Sequence, residues 1–326
     1  MTLRSDLTQR LLAGDARALA RAITIVEDGL PAAREIIKEI YPRSGRAPII
    51  GVTGPPGGGK STLVDQLTAV FRRQGKKVGI IAVDPSSAFS GGAVLGDRVR
   101  MQRHSIDAGV FIRSMATRGQ FGGLASASVD AADLMDAAGC DVVIVETVGV
   151  GQDEVDVVRV ADLVLVILVP GLGDDVQTIK AGIMEIPDIF VLNKADREGI
   201  DRLHTELKTM LSHVDACGGG RNRPTIMRTV ATTGEGIDEL HGAVVGRLDQ
   251  AAPLERAERR RQRSRQRLLD LLRRRVLEWA RGPSSGGLFD QAVTKIAERA
   301  IDPHTAADAL LEKFLPRDER DPGLPA

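Results

Sequence analysis

Gly54-Pro55-Pro56-Gly57-Gly58-Gly59-Lys60-Ser61, set within GVTGPPGGGKSTL (51–63), decides the fold. It fits G-x-x-x-x-G-K-[ST] without a gap. The apolar run IIGVT (49–53) precedes it and a helical stretch, Ser61–Gln74, follows. Strand, glycine-rich loop and helix in that order form a cradle for phosphate. Glycines let successive backbone N–H groups turn inward around an anion, and the helix adds its positive N-terminal end. The expected phosphate-binding set is Gly54, Pro55, Gly57, Gly58, Gly59, Lys60, Ser61 and Thr62. Lys60 should reach the β/γ oxygens, and the Ser61 hydroxyl should ligate Mg²⁺. A plain Gly/Pro turn is the competing reading, which the full motif in this context disfavours. The loop alone does not separate an ATPase, a kinase and a GTPase.

Outward from this loop, short apolar runs alternate with helical patterns. VGIIAV (78–83), VFIRS (110–114), DVVIVE (141–146), LVLVILV (163–169), IFVLN (189–193) and TIMRTV (225–230) are strand candidates. They are apolar on both faces, as buried parallel strands are. The expectation is an α/β fold: a mostly parallel, doubly wound P-loop sheet with helical extensions at both ends. Upstream, Leu7, Leu11 and Leu12 share a helix face, Gly14 fits a C-cap, and Asp15 fits the next N-cap. Downstream of Pro253 runs an arginine-rich helix bearing the stripe Leu268, Leu272, Val276 and Trp279. GPSSGG (282–287) ends it, and two shorter helices follow around 288–300 and 304–315. The expected division is a helical extension over 1–44, a nucleotide-binding domain over 45–252, and a helical arm and tail over 253–326.

Composition removes several classes. Aromatics make up 3% of the 326 residues, too few for base-stacking platforms. Lys+Arg and Asp+Glu both total 44, so no net charge steers the chain to nucleic acid. The arginine helix instead reads as a packing arm with solvated cations. Two cysteines, Cys140 and Cys217, cannot build a disulfide scaffold or a cysteine zinc site. No run is long enough to span a bilayer, and MTLRSDLTQR has no apolar signal core. The expected compartment is the cytoplasm, or the mitochondrial matrix if a presequence has been removed.

Asn193-Lys194-Ala195-Asp196 follows the strand IFVLN directly. This is the N-K-x-D arrangement of guanine readers. The Asp196 carboxylate can accept from both N1–H and the N2 amino group of guanine, whereas adenine offers neither. Asn193 and the Lys194 stem would hold the ring and the surrounding loops. Thr232-Thr233-Gly234 is a weaker match to the loop whose backbone faces guanine O6. Glu146-Thr147-Val148-Gly149 ends the strand DVVIVE, where D-x-x-G is usual. Glu146 can hold Mg²⁺ through water, and Gly149 can donate its N–H to the γ-phosphate. Val150 stands where a water-positioning Gln is common, so unaided hydrolysis should be slow. Asp84 ends its strand and could face the metal. Asp97 lies in a glycine-rich loop suited to a switch, with a turn or cap residue as its alternative.

Together these residues resemble the MeaB/ArgK family of metallocentre-assembly GTPases. The matching signatures include LLAGDARALARAIT (11–24), VDPSS (83–87), GDRVRM (96–101), VETVGVGQDE (145–154) and VPGLGDDVQTIKAG (169–182). The resemblance implies a GTP-hydrolysing, Mg²⁺-dependent chaperone. Its members load adenosylcobalamin into methylmalonyl-CoA mutase or a related acyl-CoA mutase and guard that enzyme. It implies magnesium-side roles for Asp97 and Glu146, and a second switch with Asp174, Gln177 and Lys180 as its polar residues. It also implies a homodimer formed through residues 255–315. Two rivals stay open at this point: a nickel-insertion GTPase, and a P-loop kinase linked to amino-acid transport. The first lacks Cys or His neighbours at ligand spacing, and the second needs no guanine reader.

Overall fold

The computed structural model describes residues 3–84, 102–104, 106–116, 123–147, 157, 160–171, 187–216, 224–250 and 253–314. It comprises two compact units, Met1–Arg263 and Ser264–Ala326.

The first unit opens with three helices: α1 (Leu3–Leu12), α2 (Ala16–Glu27) and α3 (Ala32–Ile40). Gly14 takes φ +83° after α1, and Asp15 accepts hydrogen bonds from the Arg17 and Ala18 N–H groups at the start of α2. A C-cap glycine followed by an aspartate N-cap thus separates the two helices, as the sequence predicts. The sheet elements follow: β1 (Ile49–Thr53), α4 (Lys60–Arg73), β2 (Val78–Asp84), β3 (Val110–Ala116), α5 (Gly123–Ala137) and β4 (Val142–Glu146). Next come β5 (Leu163–Leu168), β6 (Ile189–Asn193), α6 (Ile200–Ala216), β7 (Thr225–Thr229) and α7 (Ile237–Gln250). Helix α8 (Pro253–Arg281) crosses from the first unit into the second.

The seven strands lie in the order β3-β2-β4-β1-β5-β6-β7, and each adjacent pair is parallel. After β1 the chain moves toward the β3 edge; after β4 it moves toward the β7 edge. That reversal opens a crevice at the carboxyl ends of β1 and β4, where ligands of doubly wound sheets bind. Strands β4, β5 and β6 are buried throughout, which explains their unbroken apolar runs. One core layer joins the sheet to α1–α3, α5 and α6; the other joins it to α4 and α7. Both faces are therefore covered, as the fold class requires.

The Asp136 carboxylate, on α5, accepts from the Gly45, Arg46 and Ala47 N–H groups and pins the linker that feeds β1. At the opposite end of the sheet from the crevice, Asp162 accepts from Ile49 N at 2.9 Å and Asp188 from Val164 N at 2.9 Å. Arg263 and Arg259, one turn apart at the start of α8, pair with these two carboxylates.

In the second unit, the distal part of α8 is joined by α9 (Leu288–Ala297) and α10 (Pro303–Phe314). Trp279 and Phe314 meet edge to face at 5.3 Å. Leu268, Leu269, Leu272, Leu277, Val293 and Leu311 are exposed there. No described helix is long and apolar enough to cross a membrane.

Candidate functional site

The glycine-rich loop leaves β1 at Gly54 and becomes α4 at Lys60. Gly54 takes φ +138°, and a Cβ there would collide with the Ile167 carbonyl of β5. Gly59 takes φ +88°, and a Cβ there would strike Asn193 Nδ2. These two positions need glycine for both conformation and space. Lys60 is only 7% exposed. Its ammonium donates to the Gly54 carbonyl at 2.8 Å and to the Pro55 carbonyl at 2.9 Å, which holds it against the loop. Thr62, the next polar residue but one, is exposed.

Glu146, the last residue of β4, is 7% exposed. The Ser61 hydroxyl donates to its Oε1 at 2.6 Å. Parallel pairing of β1 with β4 produces this meeting across 85 residues of chain, with Val52 opposite Glu146. Thr147 adds a brace: its hydroxyl donates to Thr53 Oγ1 at 2.8 Å, and its N–H donates to the Val52 carbonyl at 3.0 Å. A hydroxyl and a carboxylate side by side at a phosphate loop are a donor set that suits a hard, oxygen-seeking divalent cation.

Asn193, the last residue of β6, is buried and joins three loops. Its Nδ2 donates to the Gly58 carbonyl at 2.8 Å. Its Oδ1 accepts from Thr229 Oγ1 and from Ala231 N, both at 3.1 Å. Lys194 takes φ +56°, and its ammonium reaches the Gly57 carbonyl at 2.7 Å. Asp196 stands exposed beyond them. Thr232 and Thr233 lie in the turn closed by the Val230–Glu235 bridge, and both are exposed. Thr233 caps that turn through its hydroxyl, which donates to the Val230 carbonyl at 3.1 Å.

The structure thus brings the phosphate loop, Ser61, Glu146, Asn193 and Lys194 to one end of the sheet. Asp84 ends β2 at that same end, three strands' width from β5. Asp97, Gly149, Asp174, Gln177 and Lys180 lie outside the described residues, as does Cys217. Sequence reasoning passed over Thr229, which sits opposite Asn193 in the β6–β7 register. No local pattern marks it, because these two strands become neighbours only in the folded sheet. Cys140 packs against the core, and burial pushes its thiol up to about 11. A thiol so hard to ionise is a poor metal ligand. Among the described residues no group of three His, Cys, Asp or Glu could hold a metal ion by itself.

A parallel sheet ending in a Walker-type loop, with an N-K-x-D turn hydrogen-bonded to it, defines a P-loop GTPase, an enzyme that hydrolyses GTP. The comparisons narrow the class. The family model for "Methylmalonyl Co-A mutase-associated GTPase MeaB" matches residues 19–284, and the chain belongs to that family. A Pyrococcus abyssi protein carrying a GTPase name is 50% identical, over 95% of this chain and 96% of its own. GTPase ArgK of Escherichia coli is 35% identical, over 82% of this chain and 86% of its own. The mouse "Methylmalonic aciduria type A homolog, mitochondrial" is 33% identical, over 94% of this chain and 78% of its own. A crystal structure of a LAO/AO transport system kinase superposes with a TM-score of 0.66 at 28% identity, covering 95% of this chain and 97% of that one.

Proposed function

We propose that this GTPase is a chaperone that gates adenosylcobalamin loading into methylmalonyl-CoA mutase, or a related acyl-CoA mutase, and protects that enzyme. The observation that carries this reading is membership, over residues 19–284, of a family described by its association with the mutase. The mouse relative, named for methylmalonic aciduria, supports it.

In this reading Lys60 turns from the loop carbonyls to the β/γ oxygens of GTP, and the loop N–H groups hold the β-phosphate. Ser61 and Glu146 hold Mg²⁺, with Asp84 and Asp97 on the same side. The ion would neutralise charge on the β- and γ-phosphates. Asp196 reads guanine, and the turn at Thr232 and Thr233 closes on its O6 side. Gly149 senses the γ-phosphate. Asp174, Gln177 and Lys180 form a second switch that responds to the mutase. Residues 253–326 form the arm through which two copies pair, while 1–44 and 45–252 are the extension and the nucleotide domain. The working compartment is the cytoplasm, or the mitochondrial matrix.

The test is steady-state GTP hydrolysis with and without purified mutase, alongside sedimentation of the mixture. Acceleration and a nucleotide-dependent complex are expected. No complex and no acceleration with any adenosylcobalamin-dependent acyl-CoA mutase would overturn the chaperone reading and leave the GTPase intact.

A further inference from the structure

Helix α4 carries a polar stripe that runs away from the phosphate loop. Ser61, Asp65, Thr68 and Arg72 recur at spacings that place them along one side of the helix. Leu63, Val64, Leu67, Val70 and Phe71 fill the core instead. Ser61 meets Glu146, as described. Beyond it, Asp65 and Arg72 meet the segment that carries Arg103, His104 and Asp107.

Two fasteners hold that segment. In the first, His104 Nε2 lies 3.0 Å from the Asp65 backbone carbonyl and 3.3 Å from Asp65 Oδ1. The carbonyl can only accept, so Nε2 carries the proton of that hydrogen bond. Arg103 Nη2 stands 3.8 Å from Asp65 Oδ2. In the second, Arg72 grips Asp107 with two bonds, Nε to Oδ2 at 2.8 Å and Nη2 to Oδ1 at 2.9 Å. Asp107 also accepts from the Gly109 N–H at 2.8 Å, and a Cβ at Gly109 would collide with the Arg72 guanidinium.

The chemistry of this dock is unlike that of a packing contact. Asp65 is 5% exposed, and its Oδ1, though near His104, is too poorly aligned to make a hydrogen bond. A buried carboxylate left partly unsatisfied opposes folding. The segment's apolar residue, Ile106, points away and is 92% exposed. Docking therefore rests on directional polar contacts, which fix position rather than add burial. The chain that is so fixed continues directly from Asp97, seven residues before His104.

We propose that Asp65 and His104 are positioning residues for GTP hydrolysis: they fasten the chain that follows Asp97 to the helix bearing the phosphate loop. The proposal rests on the reading of Asp97 as a magnesium-side residue. The test uses the full-length protein and its His104→Ala, His104→Gln and Asp97→Asn variants. Each is assayed for GTP hydrolysis across a magnesium titration, for GDP affinity and for melting temperature. His104→Ala should lower kcat by about tenfold and raise the magnesium needed for half-maximal rate, with GDP affinity within about twofold. His104→Gln keeps an N–H donor at similar reach and should recover most of the loss. Unchanged kcat and magnesium dependence in His104→Ala would overturn the proposal. So would an equal loss in His104→Ala and His104→Gln that tracks a lowered melting temperature, which marks a purely structural role. Asp97→Asn with wild-type magnesium dependence strikes the Asp97 reading separately, because the His104 comparison does not use that variant.

Discussion

Asn193 on β6 donates to the carbonyl of Gly58 in the glycine-rich loop at 2.8 Å, so the N-K-x-D turn and that loop share a hydrogen bond across 135 residues of chain. The same side chain accepts from Thr229 and from Ala231 N. Three loops therefore keep their mutual positions through one buried amide.

Asn193→Ala removes that amide and leaves the Gly58 carbonyl, the Thr229 hydroxyl and the Ala231 N–H short of partners. A buried polar group so orphaned costs about 1–3 kcal/mol. The variant should melt several degrees lower and bind GTP and GDP more weakly by at least about tenfold. Calorimetric titration and thermal melts check both; wild-type nucleotide affinity would show that the loops are positioned by other contacts.

Asp196→Asn should lose GTP and gain xanthosine triphosphate. Xanthine carries a carbonyl at C2 where guanine has an amino group. An amide can donate to that carbonyl, whereas a carboxylate meets it lone pair to lone pair. The expected discrimination is about 1–3 kcal/mol, by analogy with bidentate base contacts. Hydrolysis rates with the two nucleotides measure it, and an unchanged preference for GTP would remove Asp196 as the base reader.

Lys180→Ala should leave GTP affinity nearly intact and remove most of the stimulation by the cognate mutase. Val150 cannot orient water, so the activating group must come from elsewhere. Gln177 and Lys180 are three apart and share a face if that stretch is helical. A cation brought to the γ-phosphate would stabilise transition-state charge. Equal fold-stimulation in variant and wild type, with mutase binding verified, would return the role to another residue.

A chain ending at residue 252 should be monomeric in sedimentation and still bind nucleotide. It loses the Arg259 and Arg263 pairs with Asp188 and Asp162. Those carboxylates keep their bonds to Val164 N and Ile49 N, so the sheet end stays closed. It also loses the exposed Leu268, Leu269 and Leu272. Apolar side chains on a helix face need a partner. A dimer of the shortened chain would place the interface elsewhere.

His241 should make stability fall at acid pH. It is buried on α7, edge to face with Phe71 at 4.6 Å. Burial lowers its pKa below the ordinary value of 6.5; Asp238 opposes that shift and Arg73 aids it. The unfolded chain therefore takes up the proton first. The stability this neutral ring contributes is intact above about pH 6.5 and declines as pH falls toward the folded-state pKa. His241→Phe should show a flatter melting temperature between about pH 7.5 and pH 5.5 than wild type. Parallel slopes would assign the acid sensitivity to other groups.

The sequence by itself determined the class of this protein. Gly54–Ser61 between a strand and a helix, six further apolar runs, and Asn193-Lys194-Ala195-Asp196 at a strand end were enough, because each is a local pattern with a local physical cause. The helix caps at Gly14 and Asp15 were legible for the same reason. Strand order was not legible. Only the folded sheet places β4 beside β1, and thereby sets Glu146 against Ser61. Thr229 and Thr147 gave no local signal, since their partners Asn193 and Thr53 become neighbours only through parallel register. The polar residues Asp65 and Thr68 on α4 are buried, and nothing local in the sequence marks them so. Periodicity reports which residues share a side of a helix; what covers that side depends on contacts between distant parts of the chain, and those exist only in the tertiary structure.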